Sequence, residues 1–591
     1  MKKRRSSSPS RQDSSSSHTS KSKTRSNHNN YRINQDTRSQ DSFKGSKVRQ
    51  GKIRSTKNKK QAHHTITTYI KPKQVDPPNH ILTTLPPQII AERDGWIVLS
   101  KPAGWLTHPD GQKGAGQRPD LVSWAQTYFN RTLGVHQRLD VSTSGLIAFS
   151  YTKKGVKVLQ NALKQTYAKT YLAVVEGKPH HNSGEINQEV PRSPKKEAIS
   201  NYKLIHHDRS WSLLQVQPLT GRTHQIRAHC ASLGTPIRGD GLYGDPFDLR
   251  AQRALLHAYK LVIAGEEFIA EPPHDFLRYL PTKSSEEQIQ QALKTREILD
   301  DPSENTCYRL FNGDPEGFHG WRLDRYGDWL WLIHDQNSPL GPFPTTFDTQ
   351  GIYRLEALVD RSSGQQTPPV LWQGQLAPQP LLVREAGVEY LVELGDQLST
   401  GLFLDQRPQR TWLAKASKPW GRVLNTFAHA GGFSIAAAVA GAETVSIDLS
   451  DKWLKRVNPQ LEANGINTQN HQCLTGDVFD WCRRLQKRGE KFDLIILDPP
   501  STSVGKKKKR WSAARDYPEL VQLVLPLLQP GGQLLTCTNH RKLTPHKFAK
   551  ALSTVMPNSE GFRLERVCAP GIDFPTDEPL PVKNLLWKAP R

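Results

Sequence analysis

Residues 136–145, HQRLDVSTSG, place one carboxylate, Asp140, between an arginine two positions upstream and a Thr-Ser-Gly turn. Alone, such an aspartate reads as an ordinary Asx-turn or capping residue. A second stretch changes its meaning: residues 218–244, PLTGRTHQIRAHCASLGTPIRGDGLYG, are dense in arginine, histidine and glycine. A carboxylate that must stay ionised in a water-poor pocket favours a guanidinium partner.

Taken in order, HQRLDVSTSG, KTYLAVVEG at 169–177 and GRTHQIRAHCASLGTPIRGD at 221–240 resemble the three signature blocks of the RluA-type RNA pseudouridine synthases. DGWIVLSKPAGWLTHP at 94–109 resembles their entry strand. The chain departs from the family at one place. Where the family usually reads His-Arg-Leu-Asp, Gln137 precedes Arg138 and the histidine, His136, sits one position earlier. The spacing from Asp140 to the Thr-Ser-Gly turn is intact, so the departure bears on substrate choice more than on chemistry. The resemblance implies an α+β domain with a mixed, largely antiparallel sheet, working without cofactor or metal. Uridine would be isomerised by breaking its N1 glycosidic bond, rotating the uracil and rejoining it through C5. Asp140 would attack sugar or base, or deprotonate a ribose intermediate; both routes stay open. Arg222 would be its guanidinium partner. Tyr171 would stack beneath the base or move a proton, while Arg138 and His136 would shape the loop and contact phosphate. Extruding the base from folded RNA costs a few kcal/mol, which backbone contacts must offset.

From residue 422 onward strands and helices alternate with short loops. A buried strand at 423–427 leads into a glycine turn at 428–432 and a helix at 433–440. Later strands end at Asp448, Asp477, Asp498 and Asn539, and Pro459 is expected to kink a helix. This alternation predicts a doubly wound, Rossmann-like parallel sheet with ligand at the strands' C-terminal edges. AHAGG lacks the GxGxxG spacing and by itself is a plain connection as readily as a ligand loop. TGLFLDQRPQR at 400–410, together with VLNTFAHAGGFS, Asp448 and LDPPSTS at 497–503, resembles the RlmI/RlmK-like S-adenosylmethionine-dependent large-subunit rRNA methyltransferases.

That resemblance implies that Phe427, Gly431 and Gly432 hold the methionine part of S-adenosylmethionine and that Asp448 holds its ribose. Asp477 would contact the adenine, with an ordinary helix N-cap as the plainer alternative. Gln406 and Arg407 would close the pocket. Asp498, with the prolines after it, would present the target base beside the cofactor. Methylation at cytidine C5 requires a cysteine thiolate, for which Cys537 is the candidate, although a small strand cysteine is more often inert. TCTNHRKL resembles the guanosine-N7 branch more closely, with Asn539 at a polar position. The basic run Lys506, Lys507, Lys508, Lys509 and Arg510 follows the Asp-Pro-Pro element, where phosphate contact is preferred over a solvated loop.

A chain of 591 residues exceeds what one core organises. The expected division is a basic tail at 1–75, a pseudouridine synthase domain at 80–275, a linker at 276–304, a small β-rich subdomain at 305–395 and a methyltransferase domain at 396–591. Residues 1–75 carry 20 Lys and Arg against 3 Asp, a surplus of +17 out of the chain's +25, and should stay disordered and attract a polyanion. Six cysteines without CxxC pairs support neither a disulfide framework nor a zinc site, consistent with a reducing cytosol. No apolar run is long enough to span a bilayer. The expected partner is RNA, most naturally large-subunit rRNA, in the cytoplasm, with no membrane or metal. The competing reading is an RNA-binding ribosome assembly factor with one or both sites inactive.

Overall fold

The computed structural model describes residues 85–591 except 112–117, 166–167, 336–346, 358–367, 396–398, 417–418, 505–509 and 578–581. The basic stretch 1–75 and Lys506, Lys507, Lys508 and Lys509 of the basic run lie outside the described residues; of Arg510, only the backbone at the start of a short strand is described.

The first half is built on a ten-stranded sheet. Its main path runs Gln88–Arg93, Trp96–Lys101, Ser144–Ser150, Leu256–Ile263, Lys169–Glu176, Trp211–Pro218, Ile199–Asp208, Ser183–Asn187. All neighbours on this path are antiparallel except Ser144–Ser150 with Leu256–Ile263, which makes the sheet mixed and largely antiparallel, as expected. That parallel junction explains the glycine of the Thr-Ser-Gly turn. Gly145 has φ +106°, and a Cβ there would lie 2.3 Å from the Ala258 carbonyl oxygen. The helix Gln225–Ser232 begins only after His224, which takes a left-handed conformation (φ 60°) at its N-cap.

The segment expected as a linker is not a free tether. Its helix Ser285–Arg296 is capped by Ser284, whose Oγ accepts the Glu287 N–H at 3.2 Å. Ile289, Ala292 and Leu299 recur at helical spacing and pack with Tyr308, Phe311 and Trp321 in one core. Burial of that apolar face ties the segment to the five-stranded sheet Cys307–Asn312, Trp321–Tyr326, Trp329–Asp335, Gly351–Ala357, Val370–Gly374.

The C-terminal sheet has seven strands in the order His471–Thr475, Glu443–Asp448, Arg422–Thr426, Phe492–Leu497, Leu528–Thr538, Lys583–Lys588, Arg563–Cys568. The first five are parallel, as the alternation predicts; Lys583–Lys588 runs antiparallel to both its neighbours. A parallel pairing needs a crossover, usually a helix, and no helix is described between Cys568 and Lys583. The helix around Pro459 is broken into Asp451–Leu454 and Val457–Ala463; the break falls at the residue whose carbonyl the proline ring would strike.

The segment between the last two strands reaches into the first half. Asp577 Oδ1 accepts Arg238 Nη1 at 2.6 Å and Arg278 Nη2 at 2.6 Å, and Gln252 Nε2 donates to the Pro570 carbonyl at 2.6 Å. Among the described residues no helix is long and apolar enough to cross a membrane.

Candidate active sites

The first site opens where the loop carrying Asp140 meets the start of the helix Gln225–Ser232. Asp140 keeps a quarter of its side chain exposed and touches Arg227 Nη1 at 3.5 Å and His224 Nε2 at 3.8 Å. Arg227 is fixed from behind. Its Nε and Nη2 donate to the two oxygens of Asp240 at 2.7 Å each, and Asp240 also accepts the N–H groups of Leu242 and Tyr243. A bidentate fork of this kind sets both position and plane of the guanidinium, so Arg227 presents a permanent positive charge to Asp140. Burial holds His224 below the usual imidazole range, so it meets Asp140 as a neutral ring.

The loop carrying Asp140 is also held from beneath. Lys101, completely buried, donates through Nζ to the carbonyls of Pro102 and Trp105 at 2.9 Å and of Val141 at 3.4 Å; burial lowers its pKa to about 7. Thr107 Oγ1 donates to the Leu139 carbonyl at 2.9 Å and accepts the Leu139 N–H at 3.1 Å. Arg253 Nη1 donates to the Ser142 carbonyl at 2.7 Å while its other nitrogens grip Asp275. The loop is thereby preorganised, which is what orienting a reactive carboxylate requires.

A cavity of about 350 Å³ lies over Asp140, lined among others by Tyr171, Arg138, Gln137, Arg222 and Lys169. Burial, then the charge of Asp140, raise the Tyr171 phenol, so it stays protonated and offers a ring face and an O–H rather than a base. His136 joins the same cavity, bonded through Nε2 to Ser150 Oγ at 2.7 Å, and burial keeps it neutral. The pairing of Arg222 with Asp140 is corrected. Arg222 lines the cavity, but its Nε donates to the Glu197 carbonyl at 2.9 Å, and the guanidinium that reaches Asp140 is Arg227. With the helix starting at Gln225, Arg222 precedes the first turn and is held along the loop.

The second site sits at the C-terminal edge of the parallel strands. After Arg422–Thr426 the chain turns through three left-handed residues, Phe427 (φ 56°), His429 (φ 51°) and Gly431 (φ 84°), into the helix Gly432–Val439. A Cβ on Gly431 would lie 2.7 Å from Val457, so only glycine lets the loop sit this close to its neighbour. Asp448 ends the next strand and braces the loop: its Oδ2 accepts the His429 N–H at 2.9 Å and its Oδ1 the Ser450 N–H at 2.8 Å. Leu449 beside it is 61% exposed, an apolar surface at a sheet edge that sequence reasoning passed over. Backbone loop, carboxylate with free lone pairs and apolar shelf are the parts that an adenosyl-amino acid requires, so the residues fit S-adenosylmethionine. Phe427, Gly431 and Gly432 would carry its amino-acid end and Asp448 its ribose hydroxyls. When bound, the cofactor supplies a methyl group on a positively charged sulfur.

Two residues expected at this pocket are otherwise engaged. Asp477 caps the helix Val478–Lys487, accepting the N–H groups of Phe479 at 2.9 Å and Asp480 at 3.2 Å, the plainer of its two readings. Arg407 does not close the pocket. It is buried in an ion pair with Asp573, whose own burial requires a charged partner. Gln406 does face the site: its Nε2 donates to Asp498 Oδ2 at 3.3 Å and its Oε1 accepts Asn584 Nδ2 at 3.0 Å. Burial, then the nearby Asp405, push the Asp498 carboxyl up to about 7. Cys537 lies wholly inside the sheet core with its thiol pushed well up by burial, while Asn539, two residues on, is exposed and contacts Ser501 beside the Asp-Pro-Pro element. Among the described residues no group of side chains has the makings of a metal site.

Comparison with known proteins agrees with both halves. The model of the RNA pseudouridylate synthase family matches residues 95–232, and that of the S-adenosylmethionine-dependent methyltransferases matches residues 372–588. The chain is 31% identical over 275 residues to ribosomal RNA large subunit methyltransferase I of Escherichia coli O139:H28, spanning 45% of this chain and 69% of that protein. It is 30% identical over 348 residues to YwbD of Bacillus subtilis (strain 168), spanning 55% of this chain and 87% of that one. It is also similar to SMU.776, solved in complex with SAH, at 28% identity and a TM-score of 0.47, covering 56% of this chain and 87% of that one. The chain thus belongs to the S-adenosylmethionine-dependent large-subunit rRNA methyltransferases through its second half, while residues 95–232 match the RNA pseudouridylate synthase model, so each half carries its own candidate site.

Proposed function

We propose that this enzyme works in the cytoplasm on large-subunit rRNA, isomerising a uridine at the Asp140 site and methylating a guanosine at N7 at the Asp498 site. Asp140 is the reacting carboxylate of the first site, with Arg227 holding it in place and Tyr171 against the base. Isomerisation there breaks N1–C1′ and forms C5–C1′; the C5 proton leaves and N1 gains one, so no outside reagent is consumed.

The observation that carries the choice of base is the contrast between Cys537 and Asn539. Attack on cytidine C6 needs a thiolate within reach of the base, whereas the Cys537 thiol is buried in the core and held protonated. Guanine N7 is itself nucleophilic and needs only alignment. Asn539 is exposed beside Ser501, just after the Asp-Pro-Pro element, with an amide suited to the guanine O6 acceptor. Asp498, once ionised, stabilises the positive charge that builds on an N7-alkylated purine. Cytidine C5 is the second reading, favoured by the nearness of Cys537 to Gln406. Nucleoside mass spectrometry of large-subunit rRNA treated with the enzyme and labelled cofactor separates them: 7-methylguanosine supports the first reading, and 5-methylcytidine that vanishes in Cys537→Ala replaces it with the second.

A further inference from the structure

The helix Leu121–Phe129 turns Leu121, Val122 and Ala125 inward and carries two aromatics at i and i+4, Trp124 partly buried against the same core and Tyr128 exposed. Such a pair could serve the helix alone, at about 0.2–0.5 kcal/mol. What exceeds that role is the exposure and the shape of the surroundings. Tyr128 is 62% exposed. Its ring lies nearly parallel to Trp124, with centroids 5.3 Å apart and an interplanar angle of 21°. A shallow groove of about 650 Å³ runs alongside, lined by Trp105, Arg118, Ser123, Trp124, Thr127 and Tyr128.

We propose that this groove receives one unpaired nucleobase of the substrate RNA, stacked on Tyr128 as the next step of the Trp124–Tyr128 ladder, with Arg118 toward its phosphate. Three observations favour a base over an apolar peptide. The exposed surface is a flat ring already in a stack, the geometry that a further planar ring extends. The groove's cation, Arg118, and the surplus of +8 left to the chain after residue 75 suit a polyanion, and the carboxylate in the lining, Asp120, is committed to the Ser123 N–H. The groove is also continuous with the loop carrying Asp140. Its wall residue Trp105 shares the Lys101 ammonium with Val141, and Thr107 is doubly bonded to Leu139, so the groove and the two neighbours of Asp140 belong to one braced unit. A base held there would fix the register of the RNA strand while the target uridine is extruded, offsetting part of its unstacking.

The inference rests on the reading that the first half acts on RNA. The test uses the full chain and a fluorescein-labelled oligoadenylate dodecamer in anisotropy titrations, with Trp124 emission followed in parallel. Loss of a stacked base should weaken binding by about tenfold in Tyr128→Ala, and Tyr128→Phe, which keeps the ring, should restore affinity to within about twofold. Tryptophan emission should be quenched on binding in the wild type and less so in Tyr128→Ala. Equal affinities for wild type and Tyr128→Ala overturn the proposal. So does a change of sedimentation in Tyr128→Ala without a change of affinity, which would make the groove a contact between copies of the chain. Pseudouridine assays with wild type and Asp140→Asn keep the two readings apart: no isomerisation by the wild type removes the assigned activity, isomerisation that survives the change removes the role of Asp140, and either leaves the groove result standing.

Discussion

Arg227 and Asp140 meet at 3.5 Å through a guanidinium whose other two nitrogens are both committed to Asp240. The charge facing the reactive carboxylate is therefore carried by a side chain that cannot swing away. Arg227→Lys loses the fork while keeping the charge. Pseudouridine formation should fall by about 100-fold or more, the scale of removing one preorganised electrostatic partner, while Arg222→Ala should cost much less. Single-turnover assays on both variants check the order; an Arg222→Ala defect as large as that of Arg227→Lys would refute the pairing.

Asp448 braces the loop after Arg422–Thr426, and under the proposed function its remaining lone pairs would take the ribose hydroxyls. Hydrogen bonds to a charged group are worth about 1.5–3 kcal/mol, so Asp448→Ala should weaken S-adenosylmethionine binding by about 10- to 100-fold, as read by calorimetry. Pseudouridine formation should not change.

Asp498 gives methyl transfer a pH dependence of definite sign. Its carboxyl titrates at about 7, so raising the pH through 7 ionises it, and the rate at low RNA concentration should climb through that range. Asp498→Asn should be slow and flat. Stability runs the other way. The folded pKa lies above the ordinary aspartate value of 3.8, so the contribution of the protonated carboxyl is complete below 3.8 and is lost as the pH rises through about 7. A wild-type rate profile that falls between about pH 6 and 8 would contradict the assignment.

Asp577 joins the two halves by accepting from Arg238, which is fully buried, and from Arg278. Asp577→Ala leaves Arg238 with Glu176, Ser210 and the ring of Tyr279. Removing one partner of a buried pair costs about 3–5 kcal/mol, less here because Glu176 stays. Limited proteolysis should then cut between the halves at lower temperature than in wild type, and an unchanged cleavage profile would show that the junction is held by other contacts.

How much of this was legible in the sequence depends on how local each signal is. The alternating strands and helices after residue 422 and the three ordered blocks before residue 240 are local patterns, and the two architectures follow from them. Asp140 could be named because its block, in which two residues separate it from a Thr-Ser-Gly turn, is followed in order by the other two. Choosing Arg227 over Arg222 needed the helix start at Gln225 and the fork to Asp240, thirteen residues on. Arg407 looked like its neighbour Gln406, yet its partner Asp573 lies 166 positions away. Residues 276–304 read as a linker because the core that claims the helix Ser285–Arg296 comes from strands that follow. Lys101 and Leu449 carried no signal, since neither a buried lysine nor an exposed leucine announces itself in a sequence.

The most direct test of two independent centres in one chain is quantitative nucleoside analysis of large-subunit rRNA after treatment with wild type, Asp140→Asn and Asp448→Ala. The account predicts that Asp140→Asn loses pseudouridine and keeps the methylated base, and that Asp448→Ala does the reverse. Loss of both products in either variant, or of neither, would contradict it.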